Sequence, residues 1–357
     1  MIKSLYIHIP FCRKRCLYCD FYSQTNLKLK KSYLKALARE ANSYRKFPAL
    51  LETIYVGGGT PSLLTAEDFK FLFENVIWPF AKTNSCEITV EVNPDSTDKH
   101  LLNVLKNLGV NRLSIGFQFL SDRLLVKSGR LHTGRKAVKS FELARKSGFN
   151  NINVDILYGF PTQRISELEN TLNKIIGLNP EHISAYLYTR PQRKPHTIVS
   201  AELRGKPPAA FGKENPDDLD MYRLVCKKLE KAKFRHYEIS NFAKRNFFSK
   251  HNLNYWNGRG YIGLGAGATG TFKNLRIKNK DITSYIRNPL KKEEEYLTEK
   301  KRNFEKKFLA LRTSRGIPYE KNQDEFIRMG WLKKESGRVR FTQEGWFVSN
   351  SVISEIV

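Results

Sequence analysis

Six short apolar runs rich in β-branched residues, at 5–10, 53–56, 87–93, 112–117, 151–158 and 182–188, recur through the first half of this 357-residue chain. Runs of that length and composition read as buried strands. Helical patterns separate them. Leu34, Leu37, Ala38 and Ala41 make one face at i, i+3, i+4 and i+7. Phe69, Leu72, Phe73 and Val76 repeat the pattern after a capping threonine, Thr65. Leu101, Val104, Leu105 and Leu108 do so again before Gly109, which takes the C′ position. The segments 137–144 and 168–176 supply two more helices, ending near Gly148 and Gly177. Strand and helix in alternation give an α/β fold with a parallel sheet and right-handed crossovers. Periodicity alone does not decide between an open sheet and a partial barrel.

The last third changes character. Residues 190–216 are rich in Pro, Lys and Arg and read as a loop. A helix follows with Tyr222, Val225, Cys226 and Leu229 on one face, which makes Cys226 a core thiol. Cys86, just before a strand, reads the same way. From about residue 300 the order is helix, helix, a short β-hairpin around Ser336-Gly337, and a last helix. That order resembles a winged-helix module, read here as a packing unit rather than a DNA reader. The breaks divide the chain into 1–235, 236–299 and 300–357.

A hydrophobic content of 40% and an aromatic content of 12% belong to a folded globular protein. No run approaches the roughly 18 apolar residues of a membrane span. The opening residues lack the charged-then-apolar pattern of a secretion signal, and sparse cysteines point to the reducing cytoplasm. The net charge of +27 would suit a nucleic-acid partner or an acidic ligand. The lysines scatter over helix faces, however, as at Lys227, Lys228, Lys231 and Lys233, in the manner of solvated surface. Nucleic acid is therefore not the expected partner.

Chemistry concentrates just after the strands. Cys12, Cys16 and Cys19 read Cys-x3-Cys-x2-Cys, too tight for a disulfide framework and suited to a soft metal. Zinc would want a fourth protein ligand, and none stands at finger spacing. A four-iron cluster on three thiolates leaves one iron open for an outside ligand. Gly57-Gly58-Gly59-Thr60-Pro61 joins a strand to a helix; it lets backbone approach a ligand, or is simply a tight turn. Glu91 and Asp155 interrupt apolar strands, and a buried carboxylate needs a partner. Gln118 and Arg130 add polar contacts. Strand ends are where α/β folds build their sites, so one concave site is the economical reading.

The cysteine spacing, with Tyr18 just before the third cysteine, resembles the radical S-adenosylmethionine superfamily. The resemblance implies a partial (βα)6 barrel of the TIM type. It also implies a 4Fe-4S cluster whose open iron is chelated by S-adenosylmethionine, which the cluster cleaves reductively. Four further motifs narrow it: 6–12, Gly57-Gly58-Gly59-Thr60-Pro61-Ser62, 112–118, and Asp155-x-x-Tyr158-Gly159-x-Pro161. Together they are similar to the HemN/HemW group, which contains the oxygen-independent coproporphyrinogen dehydrogenases, over roughly residues 5 to 275. By that match, S-adenosylmethionine contacts fall on Tyr6, Gly58, Gly59, Thr60, Glu91, Gln118, Arg130 and Asp155.

Within the group, the dehydrogenases carry a fourth cysteine two residues after the third and a longer N-terminal arm. Here Asp20 and Phe21 follow Cys19, and eleven residues precede Cys12. Those features resemble the heme chaperone branch, as does His251-Asn252-Leu253-Asn254-Tyr255-Trp256. The branch implies heme as cargo, a heme-acceptor protein, and an electron donor such as flavodoxin or ferredoxin. It places His251, Tyr255 and Trp256 on the heme side, although the same three residues could equally pack the end of the barrel. One departure is the basic Thr189-Arg190-Pro191-Gln192-Arg193-Lys194-Pro195, where chaperones carry an acidic segment. The alternatives are oxidative decarboxylation of coproporphyrinogen III and radical modification of RNA.

Overall fold

The computed structural model describes residues 2–189 and 217–357, so the basic segment from Arg190 and the loop read at 190–216 lie outside the described residues. Each of the six runs is a strand: β1 (Ile2–Ile9), β2 (Ala49–Gly58), β3 (Lys82–Val92), β4 (Arg112–Gln118), β5 (Ile152–Tyr158) and β6 (His182–Leu187). Between them lie α1 (Lys30–Tyr44), α2 (Ala66–Leu72), α3 (Lys99–Asn107), α4 (Asp122–Ser128), α5 (Gly134–Lys146) and α6 (Ile165–Leu178). The strands pair in parallel in chain order, β1 with β2 through β5 with β6. Because β1 and β6 do not pair with each other, the barrel stays open.

The period of two decides what faces where. On β1, Leu5, Ile7 and Ile9 are fully buried in the hydrophobic core, together with Leu34 and Leu37 of α1. Ser4, Tyr6 and His8 take the opposite, concave side, and Thr53 and Tyr55 of β2 continue it. The helices therefore cover one face, and the other collects polar side chains.

Local signals explain most helix ends. Thr65 and Asp68 form the reciprocal capping box of α2. One end differs from its reading: α6 continues through Gly177, and Asn179 takes the left-handed position instead, at φ 60°. A short polar side chain tolerates that conformation better than most. Helix α4 was not expected; it buries only Leu124, Leu125 and Ser128, too few to mark an apolar face.

Beyond the six units the chain completes both edges of the sheet. Helix α7 (Asp218–Lys231) buries Tyr222, Val225, Cys226 and Leu229, and Cys86 is buried as well. Strand β8 (Asn241–Ala243) then pairs antiparallel with β6, and β7 (Arg235–Glu238) pairs antiparallel with β8 outside it. Helix α8 (Lys250–Trp256) follows, and β9 (Ile262–Leu264) pairs in parallel with β1 at the far edge. Strands β10 (Thr269–Phe272) and β11 (Leu275–Asn279), helix α9 (Ile282–Arg287) and β12 (Lys292–Tyr296) complete this part, the strands as a second, antiparallel sheet.

A final module holds α10 (Glu299–Leu311), β13 (Ile317–Pro318), α11 (Asp324–Arg328), β14 (Leu332–Glu335), β15 (Arg338–Phe341), α12 (Gln343–Phe347) and α13 (Ser349–Ile356). Ser336 and Gly337 both have positive φ, as a two-residue hairpin of type I′ requires. The module packs on the barrel: the Tyr222 hydroxyl donates to the Gln343 carbonyl at 2.7 Å, and Trp346 meets His236 edge-on. Among the described residues, no helix is long and apolar enough to cross a membrane.

A buried carboxylate ties the second sheet to α1. Glu40 is fully buried and accepts from Lys292 Nζ at 2.7 Å, Asn279 Nδ2 at 2.9 Å, the Gly265 N–H at 2.8 Å and the Tyr285 hydroxyl at 2.6 Å. Four donors satisfy the charge, and removing it strands all four in the core. We expect Glu40→Ala to lose about 3–5 kcal/mol of unfolding free energy, read by urea denaturation.

Candidate functional site

The cysteines lie on a loop whose two ends are stitched together. The Cys12 N–H donates to the Gln24 carbonyl at 3.0 Å, and the Gln24 N–H to the Pro10 carbonyl at 2.8 Å. Midway, the Leu17 N–H donates to the carbonyl of Ser128 at the end of α4. The unexpected helix thus supports the cysteine loop.

Cys12, Cys16 and Cys19 are half-buried and line one cavity of about 390 Å³. The cavity is built from the ends of β2 to β6 and the loop after β1. Gly58, Gly59, Thr60, Glu91, Gln118, Arg130 and Asp155 line it too, so ten of the residues singled out in the sequence converge. Tyr6 does not; it lines a neighbouring aromatic hollow. Tyr55, Asn93 and Ser114 are cavity residues that sequence reasoning did not single out.

A relay of side chains joins the thiols to the strand ends. The Thr60 hydroxyl points to Cys12 Sγ at 3.6 Å and accepts from Asn93 Nδ2 at 3.0 Å. Arg130 donates to Asn93 Oδ1 at 3.1 Å and to the Gly116 carbonyl at 2.6 Å. Gln118 ends β4 at a register shift with φ 62°, a conformation costly for a side chain with Cβ. Its amide enters the cavity there.

The two carboxylates sit in a dry field. Glu91 accepts from the Tyr55 hydroxyl at 2.8 Å and the Gly58 N–H at 3.0 Å. Burial, and then the Asp155 charge, lift its carboxyl to about 7, against the pull of those donors and of Arg112. Asp155 accepts from Ser114 at 2.9 Å and Asn153 at 2.8 Å, and burial raises it also. Burial likewise raises the Cys12 and Cys19 thiols, Cys19 to about 11.

The glycine turn owes its composition to protein neighbours. A Cβ on Gly57 would meet the Tyr55 ring at 2.7 Å and Glu91 Oε1 at 2.8 Å; one on Gly58, at φ +118°, would meet the His8 ring at 2.5 Å. One on Gly59 would strike the Phe11 carbonyl oxygen at 2.8 Å. The glycines let β2 close against β1 and β3, and two of them face the cavity as a result.

His251 lies beneath the cavity floor. Glu87 accepts from the Lys250 and His251 N–H groups at 3.2 and 3.1 Å, anchoring the N-terminus of α8 where a negative charge is favoured. The imidazole is 1% exposed, stacks on Tyr55 at 5.1 Å, and burial depresses its pKa to about 3, with Arg112 adding to the effect. Thr53 spends its proton on Ser4, so His251 Nδ1 donates to Thr53 Oγ1 at 2.8 Å. Nε2 then accepts from the Tyr255 hydroxyl at 2.8 Å. The lone pair that would bind iron is engaged. Trp256, on the same helix, stands against the buried Glu238 carboxylate. This is the packing alternative of the two readings, with both ring nitrogens of His251 bonded to protein groups.

Comparison with known proteins agrees with this geometry. Residues 6–175 match the model of the radical SAM superfamily. The solved structure of coproporphyrinogen III oxidase (HemN) from Escherichia coli superposes with a TM-score of 0.83 at 21% identity, covering 99% of this chain and 89% of its own, a likeness of fold. Heme chaperone HemW of Escherichia coli (strain K12) is 35% identical over 80% of this chain and 74% of its own. Heme chaperone HemW of Bacillus subtilis (strain 168) is 37% identical over 98% of both chains. The chain belongs to the HemW family of radical SAM proteins.

HemW membership carries with it a 4Fe-4S cluster and S-adenosylmethionine, and the residues present fit both. Three thiols share one cavity, and the third cysteine has no cysteine after it: Phe21 stands there, 67% exposed at the cavity mouth. Among the described residues no three His, Cys, Asp or Glu side chains converge on a single ion. A cluster asks for wider spacing, because each thiolate serves a different iron. Opposite the thiols, Glu91 and Asp155 are hydrogen-bond acceptors suited to a ligand carrying an ammonium group and ribose hydroxyls.

Glu91 gives a test free of any cofactor. Its folded pKa is raised, so between about 4.5 and 7 the folded state holds a proton that the unfolded chain has released. Its contribution therefore falls as pH rises through that window. We expect Glu91→Gln to gain stability relative to the parent between pH 5 and pH 8, by up to about 3 kcal/mol, in paired denaturation curves.

Proposed function

We propose that this HemW-family chain is a heme chaperone that binds a cluster and S-adenosylmethionine and passes heme to an acceptor protein. The observation that carries the reading is the full-length identity to the Bacillus subtilis heme chaperone HemW. Phe21 in place of the fourth cysteine of the dehydrogenases agrees with it.

In this reading Cys12, Cys16 and Cys19 would hold the 4Fe-4S cluster, which with S-adenosylmethionine would supply one-electron radical chemistry. Gly58, Gly59 and Thr60 line the S-adenosylmethionine path with backbone amides and a hydroxyl. Glu91 and Asp155 accept hydrogen bonds from the ligand's amino and ribose groups. Gln118 and Arg130 hold its polar edge, and Tyr6 supports the floor. Whether cleavage accompanies heme transfer is a separate property from cargo binding. The surface charge of +27 would draw in an acidic electron donor such as flavodoxin or ferredoxin. Free cysteines throughout suit the reducing cytoplasm.

The test is an anaerobic preparation reconstituted with iron and sulfide. It should bind heme and form no protoporphyrinogen from coproporphyrinogen III with S-adenosylmethionine and a reductant. Sustained turnover, or absence of heme binding, overturns the reading. His251→Ala separates packing from ligation. We expect it to lower stability by about 2–4 kcal/mol. The heme dissociation constant of the folded protein should change by less than about threefold.

A further inference from the structure

Two hollows meet at α8, and their linings differ in kind. The first, about 280 Å³, is walled by Tyr6, Tyr22, Tyr255, Tyr261 and Phe21. Asp20 and Phe21 line both this hollow and the cysteine cavity, so it opens beside the cluster loop. The second, also about 280 Å³, is lined by Arg259, Arg276 and Arg302 with Glu305 and Leu309. Tyr255 and Tyr261 belong to both, packed edge to face at 4.5 Å. Thr269 lines the first and Thr271 the second. They are alternate residues on β10, about 6.6 Å apart along the strand. That separation is comparable with the reach from a porphyrin's centre to its propionates.

The arginines are not equivalent. Arg276 is neutralised by Glu305 at 2.8 Å and Glu295 at 3.2 Å. Arg302 donates to the Gly258 carbonyl at 3.3 Å and has no carboxylate partner among the described residues. Arg259 is exposed, and its side chain has no polar partner among them. Two positive charges therefore face the second hollow uncompensated. An aromatic hollow joined to a pair of free guanidiniums calls for a flat apolar ligand with carboxylates at one edge.

We propose that heme binds with its macrocycle in the aromatic hollow and its two propionates at Arg259 and Arg302. This rests on the heme chaperone reading and says where that cargo sits. Recognition here uses ring faces and carboxylates rather than an imidazole–iron bond. Both ring nitrogens of His251 are engaged, and so are those of His8, with the Tyr6 hydroxyl at 2.9 Å and the Tyr22 carbonyl at 2.7 Å.

The experiment titrates the reconstituted full-length chain with hemin, free-base protoporphyrin IX and its dimethyl ester, following absorbance for hemin and fluorescence for the others. The wild type should bind free-base protoporphyrin IX about as tightly as hemin. Arg259→Ala and Arg302→Gln should each weaken the diacid roughly tenfold and leave the ester unchanged. Thermal melts of the variants check that they are folded. Variants that bind the diacid as the wild type does would overturn the proposal, as would hemin binding without any free-base binding. If the wild type binds no hemin at all, the chaperone reading fails and this site falls with it.

Discussion

Arg112 is the charge on which the concave face of the sheet depends. It is 2% exposed, enters β4 opposite Thr89, and no hydrogen bond or ion pair reaches its side chain among the described residues. A guanidinium in that position would be costly alone. Burial raises the Glu91 and Asp155 carboxyls, and Arg112 is a smaller pull in the opposite direction; burial lowers His182 and His251, and Arg112 adds to that. Neither imidazole therefore carries a competing positive charge. One fixed cation thereby serves two carboxylates without a salt bridge to either. Their oxygens keep hydrogen bonds to uncharged donors, Tyr55, Gly58, Ser114 and Asn153.

The floor follows from the same need. Polar side chains turned inward must find partners, and the partners come from the chain beyond the sixth strand. His182 bonds Asn153 at 2.6 Å and the Tyr237 hydroxyl at 2.7 Å, and Tyr237 in turn receives the Ser249 N–H. Glu87 receives the start of α8, and His251 fills the gap between Thr53 and Tyr255. The histidine helix closes an open barrel by satisfying its interior, while β8 and β9 cap the two edges. An unpaired edge would otherwise invite pairing with another chain.

Much of this was legible, and the reasons differ by element. The six parallel strands are apolar enough to read without help, and Glu91 and Asp155 stand out because they break such strands. Short elements were not legible: α4 buries only Leu124, Leu125 and Ser128, and β8 and β9 span three residues each, too little to show a period. Arg112 lay inside a quoted motif, yet an arginine opening a strand reads as solvated until the sheet is seen to curl over it. The role of His251 depends on Thr53, 198 positions away, and on where Thr53 sends its proton. A motif can announce an imidazole but not whether its lone pair is free. The glycine turn was recognisable, but the His8 ring and the Phe11 carbonyl that crowd it were not.

In the proposed arrangement, the signs of charge around α8 and the strand ends sort two ligands of opposite character. S-adenosylmethionine is a cation at its sulfonium and ammonium groups, and the strand ends offer it Glu91 and Asp155. Heme is a dianion at its propionates, and the far hollow offers it Arg259 and Arg302. Between them stand Tyr6, Tyr55, Tyr255 and the neutral His251, a wall without net charge. Exchanging the two ligands would place each charge against its like, so the field itself rejects the wrong arrangement. The discrimination in this arrangement depends on four side chains held at the two ends of an aromatic wall.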